Sequence, residues 1–174
     1  MKKPLFSKEA IDYIDSNINK SHTIFEYGSG YSTLYLSTLC SKIISIEHND
    51  FWFKTIYKEI VQNKFMNIDL NFIPPDSTQD CNFLSQRLGK SFKKYVTKIL
   101  DYPNNNFDLI IIDGRARPSC LKYSMSKVKI SGLILFDDTI RPYYQKCFSL
   151  LSDFEPVIVS KDGLRDTRIF RKIK

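Results

Sequence analysis

Residues 25–33 read FEYGSGYST and residues 43–48 read IISIEH, and these two stretches decide the fold. They predict a β-strand that ends in an acid, a glycine turn, a helix, and a second strand that ends in another acid. Gly28 and Gly30 allow a tight turn, and because neither carries a Cβ, the backbone can approach a ligand closely there. The arrangement therefore predicts a nucleotide-shaped cradle at the end of the first strand.

Two carboxylates accompany this turn. Glu47 follows Gly30 by 17 residues, where a carboxylate at the end of the second strand can accept hydrogen bonds from ribose hydroxyls. Glu26 stands two residues before the first glycine, a position at which dinucleotide sites do not usually need an acid. A ligand with a cationic amino group near the turn explains it, and S-adenosylmethionine (SAM) carries such a group.

The stretch resembles the first motif of the class I SAM-dependent methyltransferases, which runs acid-x-Gly-x-Gly-x-Gly and is followed by an acid at the end of the second strand. This chain has Ser32 in place of the third glycine, so the start of the helix must pack slightly less closely on the strand. Serine is small and suits a helix N-terminus. The alternative interpretation is a glycine-rich turn of some other α/β protein.

Length and composition predict one globular domain over residues 1–174, with a helical segment at 1–20 and a Rossmann-like core at 21–174. The chain has no apolar run of about 18 residues, so we expect no membrane span. The N-terminus lacks the apolar core of a signal peptide. Four scattered cysteines are expected to be reduced thiols, which favours a cytoplasmic protein: Cys40, Cys81, Cys120 and Cys147.

The net charge of +7 is spread unevenly along the chain. Residues 87–100 and 115–129 hold ten positive charges and no acid, so the rest of the chain carries a net charge of −3. The favoured interpretation is a pair of solvated, lysine-rich helix faces. The alternative is a surface for an anionic substrate or a nucleic acid. No aromatic-and-glycine RNA-binding signature accompanies the charge, so nucleic acid is not a favoured partner.

Alternating strand and helix signals predict an α/β fold, a single three-layer, doubly wound domain with a short N-terminal helix. The predicted helices cover residues 7–19, 31–40, 50–64, 84–100, 118–128 and 142–152. The predicted strands cover residues 23–27, 43–47, 68–73, 108–113, 133–136, 155–160 and 166–172, the last two joined at Lys161-Asp162-Gly163. The resemblance implies a seven-strand, mostly parallel sheet in the order 3-2-1-4-5-7-6 that ends in an antiparallel hairpin.

Ligands of open α/β sheets bind beyond the carboxyl ends of the strands, at the switch point between strands one and four. The resemblance implies that Glu26 binds the methionine amino group and that Glu47 binds the ribose. It also implies that the loop around Asp76 approaches the adenine. The expected cofactor-binding residues are Glu26, Gly28, Ser29, Gly30, Tyr31, Ser32, Thr33, Glu47, His48, Asp76 and Asp113.

Methyl transfer is an in-line displacement, to which an enzyme contributes proximity and alignment, with a base where the acceptor must lose a proton. Asp113 is best placed to act at the transferred methyl, and we expect Arg115 and Asp138 to act beside it. With Asp137 and Asp138 it also resembles the metal-binding acids of the catechol and caffeoyl-type O-methyltransferases, where oxygen ligands suit Mg²⁺ or Ca²⁺. Because an Asp-Asp pair also caps helices and turns, we favour a metal-free site.

Substrate binding is expected from basic and aromatic residues near the same strand ends. Arg115 and Arg117 could clamp a carboxylate or phosphate of the acceptor, and Arg141 and Tyr144 could form the other wall of the pocket. The alternative is that these arginines pair with the neighbouring acids and balance their charge. The two interpretations are equally favoured on the sequence.

These observations predict a SAM-dependent methyltransferase that methylates a hydroxyl of a sugar, a glycan or a small metabolite. The Asn/Asp-Pro-Pro-Tyr motif of amine-methylating nucleic-acid enzymes is absent after strand four. Too few residues precede strand one for a lid domain, so we expect an open acceptor site or one completed in a homo-oligomer. Two alternatives stay open: a non-catalytic SAM-binding or scaffold protein, and a nicotinamide-binding Rossmann protein.

Overall fold

Seven strands form the main sheet, as described for residues 4–161 and 166–174 in a computed structural model. They are β1 (Thr23–Tyr27), β2 (Lys42–Glu47), β3 (Ile68–Phe72), β6 (Phe107–Ile112), β7 (Val128–Phe136), β8 (Phe154–Lys161) and β9 (Asp166–Lys172). A separate hairpin consists of β4 (Leu84–Ser85) and β5 (Lys90–Ser91). The order in the main sheet is β3-β2-β1-β6-β7-β9-β8, which confirms the predicted order.

The centre of the sheet is parallel and one end is antiparallel. Ile24 of β1 pairs with Ile43 of β2 on one side and with Leu109 of β6 on the other, both in parallel register. β9 is antiparallel to both β7 and β8, as predicted. Since the chain leaves β1 toward β2 and returns to its other side at β6, the switch point lies at the carboxyl end of β1.

Helices cover both faces of the sheet. They are α1 (Lys8–Asn17), α2 (Tyr31–Ser37), α3 (Asp50–Gln62), α4 (Lys93–Thr97) and α5 (Arg117–Ser124). Apolar residues of α1 and α2 pack with Ile24 and Ile111 on one face, and α3 packs against α2 on the same side. α4 and α5 pack with Phe25 and Ile112 on the other face. The predicted three-layer arrangement is therefore confirmed.

The N-terminal segment is held against the sheet, and this determines one wall of the site. Ser7 caps α1, since its Oγ accepts a hydrogen bond of 3.3 Å from the amide of Ala10. The Ser7 amide itself donates to Oγ1 of Thr167 at 3.3 Å. Phe6 is buried, and α1 contacts β8 and β9. These contacts fix the path of the chain just before α1.

The single helix predicted over residues 84–100 is wrong. The segment forms the β4–β5 hairpin, then α4, then a 3₁₀ helix at Lys98–Asp101. Gly89 adopts a φ of +61°, and the amides of Leu88 and Gly89 both donate to the carbonyl of Ser85. A residue with positive φ ends a helix and suits a tight turn. Buried apolar residues resume at Phe92, just before α4 begins at Lys93.

Other elements toward the C-terminus also differ from the prediction. Residues Pro142–Leu150 form a 3₁₀ helix rather than an α-helix, and α5 ends at Ser124. β7 begins at Val128, before the predicted start at residue 133. Val128 already pairs with Phe107 of β6, and the register shifts before Leu133 pairs with Leu109. The predicted turn at Lys161-Asp162-Gly163 lies outside the described residues. Within residues 4–161 and 166–174, no helix has the length and apolar character to cross a membrane.

Candidate active site

A cavity of about 880 Å³ opens at the switch point, beyond the carboxyl ends of β1, β2 and β6. This volume lies within the range of about 300–1,000 Å³ that is usual for small-molecule sites. Its lining consists of Pro4, Leu5, Phe6, Gly28, Ser29, Gly30, Tyr31, Ser32, Glu47, His48, Asn49, Phe51, Trp52, Arg87, Asp113, Gly114, Arg115 and Arg117. Most of the predicted cofactor-binding residues are therefore brought together.

Gly28 and Gly114 allow the ends of β1 and β6 to pack against each other. Gly28 has a φ of +94°, and a Cβ added to it would lie 2.9 Å from the Cα of Gly114. A Cβ on Gly114 would lie 1.9 Å from the hydroxyl oxygen of Tyr95. The absence of a side chain at Gly28 thus allows the turn and also allows the backbone of Gly114 to lie close to it. The sequence alone did not indicate this close approach.

Gly30 has a different environment. Its φ of −175° is ordinary extended backbone. An added Cβ would lie 3.6 Å from Oγ of Ser32 and 3.7 Å from Nε1 of Trp52, without a clash. Both of these residues line the cavity, and Trp52 donates its indole N–H to the carbonyl of Ser29 at 2.5 Å. A larger side chain at Gly30 would therefore occupy the cavity rather than disturb the fold.

Glu26 lies beneath the turn and does not line the cavity. It is fully buried, and its carboxylate accepts hydrogen bonds from the hydroxyls of Ser32 (2.5 Å), Thr33 (2.5 Å) and Ser45 (2.6 Å). Burial raises the pKa of Glu26 from about 4.5 to about 7, against the opposing effect of these hydroxyls. The structure thus places Glu26 where it joins the start of α2 to β2.

Glu47 forms part of the cavity wall at the end of β2. One carboxylate oxygen accepts from the amide and the hydroxyl of Ser29, at 3.0 and 3.3 Å. The other accepts from the amides of His48 and Asn49, each at 2.8 Å. This carboxylate is held rigidly at the edge of the cavity by backbone N–H groups from the two turns that it joins.

Asp76 does not line the cavity. Its carboxylate accepts hydrogen bonds from the amides of Lys93 and Lys94 and from the hydroxyl of Ser91. Phe92, at the N-cap position of α4, provides no side-chain cap. Asp76 therefore caps α4 from a distant part of the chain, an interaction that satisfies amides at the helix start.

The three acids of the predicted metal option surround the guanidinium of Arg117. Its Nη2 donates to a carboxylate oxygen of Asp113 at 2.8 Å and lies 3.4 Å from a carboxylate oxygen of Asp138. Its Nη1 lies 3.7 Å from the Asp137 carboxylate and donates to the Asp137 carbonyl. Arg117 also donates hydrogen bonds from Nε to the carbonyl of Gly114 and from Nη2 to the carbonyl of Asp113.

A buried arginine therefore occupies the point on which the acids converge. Arg117 is only 6% exposed and joins the end of β6 to the end of β7. In the described part of the chain, no group of three His, Cys, Asp or Glu residues has the geometry to hold a metal ion. Metal independence itself stays a prediction. Asp138 and Arg141 form a further ion pair, and neither residue lines the 880 Å³ cavity.

Asp113 lines the cavity, and the pKa of its carboxyl group is raised. Burial raises the pKa of Asp113 well above its usual value, the Arg117 charge opposes this, and the neighbouring Asp137 carboxylate raises it further. The pKa of Asp137 is also raised, chiefly by burial. Two carboxyl groups so close together hold a proton more readily than either would alone.

A second cavity of about 230 Å³ adjoins the first. Arg87, Gly114, Arg115 and Arg117 line both. Its remaining lining comes from residues 81–86, from the start of α5 and from the segment after β7, where Tyr144 lies 5.8 Å from the guanidinium of Arg117. Arg115 donates through Nε to Nε2 of His48 at 3.3 Å.

Several lining residues were not predicted from the sequence. Leu5 is 71% exposed and Phe51 is 76% exposed, although both are apolar and face the same cavity. Trp52 completes the wall beside them. The signal available for Phe51 and Trp52 was their position in the first turn after the second-strand acid. Arg87 was missed because it was assigned to a helix.

Solved structures with the same topology cover nearly the whole chain. A Streptococcus mutans protein, crystallised in complex with SAH and described as a candidate methyltransferase, has a TM-score of 0.69 at 10% identity, covering 99% of each chain. An rRNA methylase from Streptococcus thermophilus has a TM-score of 0.70 at 8% identity, covering 100% of this chain and 99% of that one. The chain has the class I methyltransferase fold.

Other structures agree with this fold and do not narrow the acceptor. A methyltransferase-like protein from Silicibacter pomeroyi has a TM-score of 0.69 at 17% identity, covering 99% of this chain and 89% of that one. No protein-family model and no curated protein sequence matches the chain. Identities this low establish the fold alone, so the activity must be argued from the site.

Proposed function

We propose that this protein is a SAM-dependent methyltransferase that methylates a hydroxyl group of a small molecule or glycan. The observation that carries the proposal is the 880 Å³ cavity at the switch point, walled by the glycine turn and the Glu47 carboxylate. That cavity is in the class I methyltransferase fold, of which one solved member contains SAH. A carboxylate at the end of the second strand suits the two hydroxyls of a ribose.

The other lining residues divide between the two ends of the cofactor. We assign the adenine to the apolar surface of Leu5 and Phe51, because exposed apolar side chains inside a cavity are suited to a flat ring. The Asp113 carboxylate and the Ser32 hydroxyl are assigned to the methionine end. Glu26 then contributes indirectly, by holding Ser32 in position.

When bound, SAM supplies an electrophilic methyl group. The chain's own contribution is alignment, together with removal of the acceptor's proton. Asp113 is the candidate base, since its raised pKa brings a carboxyl group closer to the pH at which a base is both deprotonated and effective. Arg117 fixes the orientation of Asp113 through its ion pair. Asp138, paired with Arg141, takes part only through the same ion network.

Calorimetry with SAM, SAH and NAD tests this proposal. SAM and SAH should bind and NAD should not. Gly30→Val should abolish SAM binding, because its side chain enters the cavity, while the melting temperature of the protein without ligand stays unchanged. NAD binding without SAM binding would instead support the nicotinamide alternative. SAM binding that Gly30→Val leaves intact would place the cofactor elsewhere.

A further inference from the structure

Two arginines meet where the larger cavity joins the smaller one. Arg87 belongs to the turn of the β4–β5 hairpin, and Arg115 follows β6. Both line the 880 Å³ cavity and the 230 Å³ cavity. They arrive from separate parts of the chain, so the fold itself brings their charges together.

Neither guanidinium is neutralised by an acid in the part of the chain that the structure describes. Within residues 4–161 and 166–174, Arg87 and Arg115 form no salt bridge, whereas the nearby Arg117 and Arg141 pair with Asp113 and Asp138. Arg115 donates only through Nε, to His48, and its two terminal nitrogens have no hydrogen-bond acceptor in that part of the chain. Two donors in a fork geometry are therefore left available at the cavity wall.

The two charges also disfavour each other. Burial, followed by the charges of Arg87 and Arg117, lowers the pKa of Arg115. A protein that held these cations together for packing alone would be expected to supply an acid, as it does for Arg117. An anion bound between Arg87 and Arg115 would relieve the repulsion.

We propose that Arg87 and Arg115 bind a phosphate monoester group of a small-molecule methyl acceptor. That this molecule is the one methylated rests on the proposed function. A phosphate monoester carries a charge of about −1.5 to −2 at neutral pH, which matches two guanidinium groups better than a carboxylate does. The adjoining cavity of 230 Å³ holds only one end of a molecule of metabolite size. The acceptor's remaining part then extends into the larger cavity, toward Asp113.

Calorimetry with methyl phosphate, dimethyl phosphate and acetate tests the subsite on the complete protein at low ionic strength. Methyl phosphate should bind, with dimethyl phosphate and acetate each weaker by about tenfold or more. Arg87→Gln and Arg115→Gln should each weaken methyl phosphate binding by about tenfold or more, the loss expected for a charge-assisted hydrogen bond. Lys90→Gln is the matched control, because Lys90 lies on the same hairpin and lines neither cavity.

Three results would overturn the proposal. The first is methyl phosphate binding that neither arginine variant weakens, and the second is an equal loss in Lys90→Gln, which would indicate a diffuse charge effect. The third is binding of dimethyl phosphate or acetate as tight as that of methyl phosphate, which would indicate a nucleic-acid backbone or a carboxylate. SAH binding to the unmodified protein is measured separately, so a failure of the proposed function is distinguishable from a failure of this subsite.

Discussion

The two walls of the cavity are built from opposite charges, and the protein treats those charges differently. On the wall formed by residues 28–52, the carboxylate of Glu47 is engaged by four donors within the chain. On the wall formed by residues 87–117, Arg117 is engaged in the same way, but Arg87 and Arg115 form no ion pair in the described residues. Arg117 has its countercharges within the chain and holds two strand ends together, whereas Arg87 and Arg115 are available to a ligand anion.

Arg115 and Arg117 are only two positions apart in the sequence, yet they differ in the partners that the described chain supplies to them. Arg117 is buried and donates to the carbonyls of Asp113, Gly114 and Asp137. Arg115 is half-buried and keeps its terminal nitrogens free of protein acceptors in the described chain. We therefore expect substitution of Arg117 to affect folding and substitution of Arg115 to affect ligands.

The largest effect is expected for Arg117→Met. Removing a buried arginine leaves the carboxylates of Asp113 and Asp137 without their countercharge, and breaking a buried ion pair in this way costs about 3–5 kcal/mol. Denaturant unfolding measures the loss of stability. Arg115→Met is the matched control and should lower the free energy of unfolding much less. Equal losses in the two variants would contradict the division between a structural and a ligand-binding arginine.

A somewhat smaller effect is expected from the pH dependence of Glu26. Its pKa is about 7 in the folded protein against about 4.5 ordinarily, so between these pH values the folded state keeps a proton that the unfolded chain has released. The free energy of unfolding should therefore fall as the pH rises through this window, by about 3 kcal/mol. Denaturant unfolding from pH 4 to pH 8 measures the fall.

Glu26→Gln provides the control for this prediction. Glutamine does not titrate, so the variant should lack this part of the pH dependence while its amide still meets the hydroxyls of Ser32, Thr33 and Ser45. Parallel pH profiles for the two proteins would show that Glu26 is not the group responsible. A steeper fall in the glutamine variant would reverse the assigned sign.

The two glycines of the turn provide a matched pair. Gly28→Ala should destabilise the protein by about 1–3 kcal/mol, because a positive φ is strained for alanine and the new Cβ meets the backbone of Gly114. Gly30→Ala should cost much less, since the backbone is extended and the new Cβ makes only ordinary van der Waals contacts. Thermal unfolding measures both. If Gly30→Ala proved the more damaging change, the geometry of the turn would be wrong.

Glu47→Gln is expected to lower both the affinity for SAH and the stability of the protein, because the new amide NH2 group would face donors from which the carboxylate accepts. Glutamine keeps one oxygen that can accept from an amide pair, but it loses the charge that strengthens hydrogen bonds from ribose hydroxyls. We expect SAH affinity to fall by about 1–3 kcal/mol, measured by calorimetry. An unchanged affinity with a lowered melting temperature would make Glu47 a structural residue only.

Much of the first half of the fold could be predicted because its signals are local. The strand, the turn and the helix of residues 23–37 follow from apolar runs and from Gly28 and Gly30. The position of Glu26 at the end of β1 was predicted, but the hydroxyls that surround it come from α2 and β2 and are not adjacent in sequence.

The second half of the site depended on contacts distant in sequence. The helix predicted over residues 84–100 was wrong because the periodicity of its apolar residues concealed the turn at Gly89. As a result Arg87 was assigned to a solvated helix face. The position of Asp76 at the start of α4 and of Arg117 between two strand ends depends on tertiary structure. No spacing in the sequence distinguishes Arg115 from Arg117.

The most direct test of the central claim uses Trp52, the single tryptophan of the chain, which lines the 880 Å³ cavity and donates to Ser29 of the glycine turn. Titration with SAH should change the Trp52 fluorescence saturably, with the same dissociation constant as calorimetry gives, and NAD should leave the emission unchanged. SAH binding that calorimetry detects without any change in Trp52 emission, or the absence of SAH binding, would contradict the account.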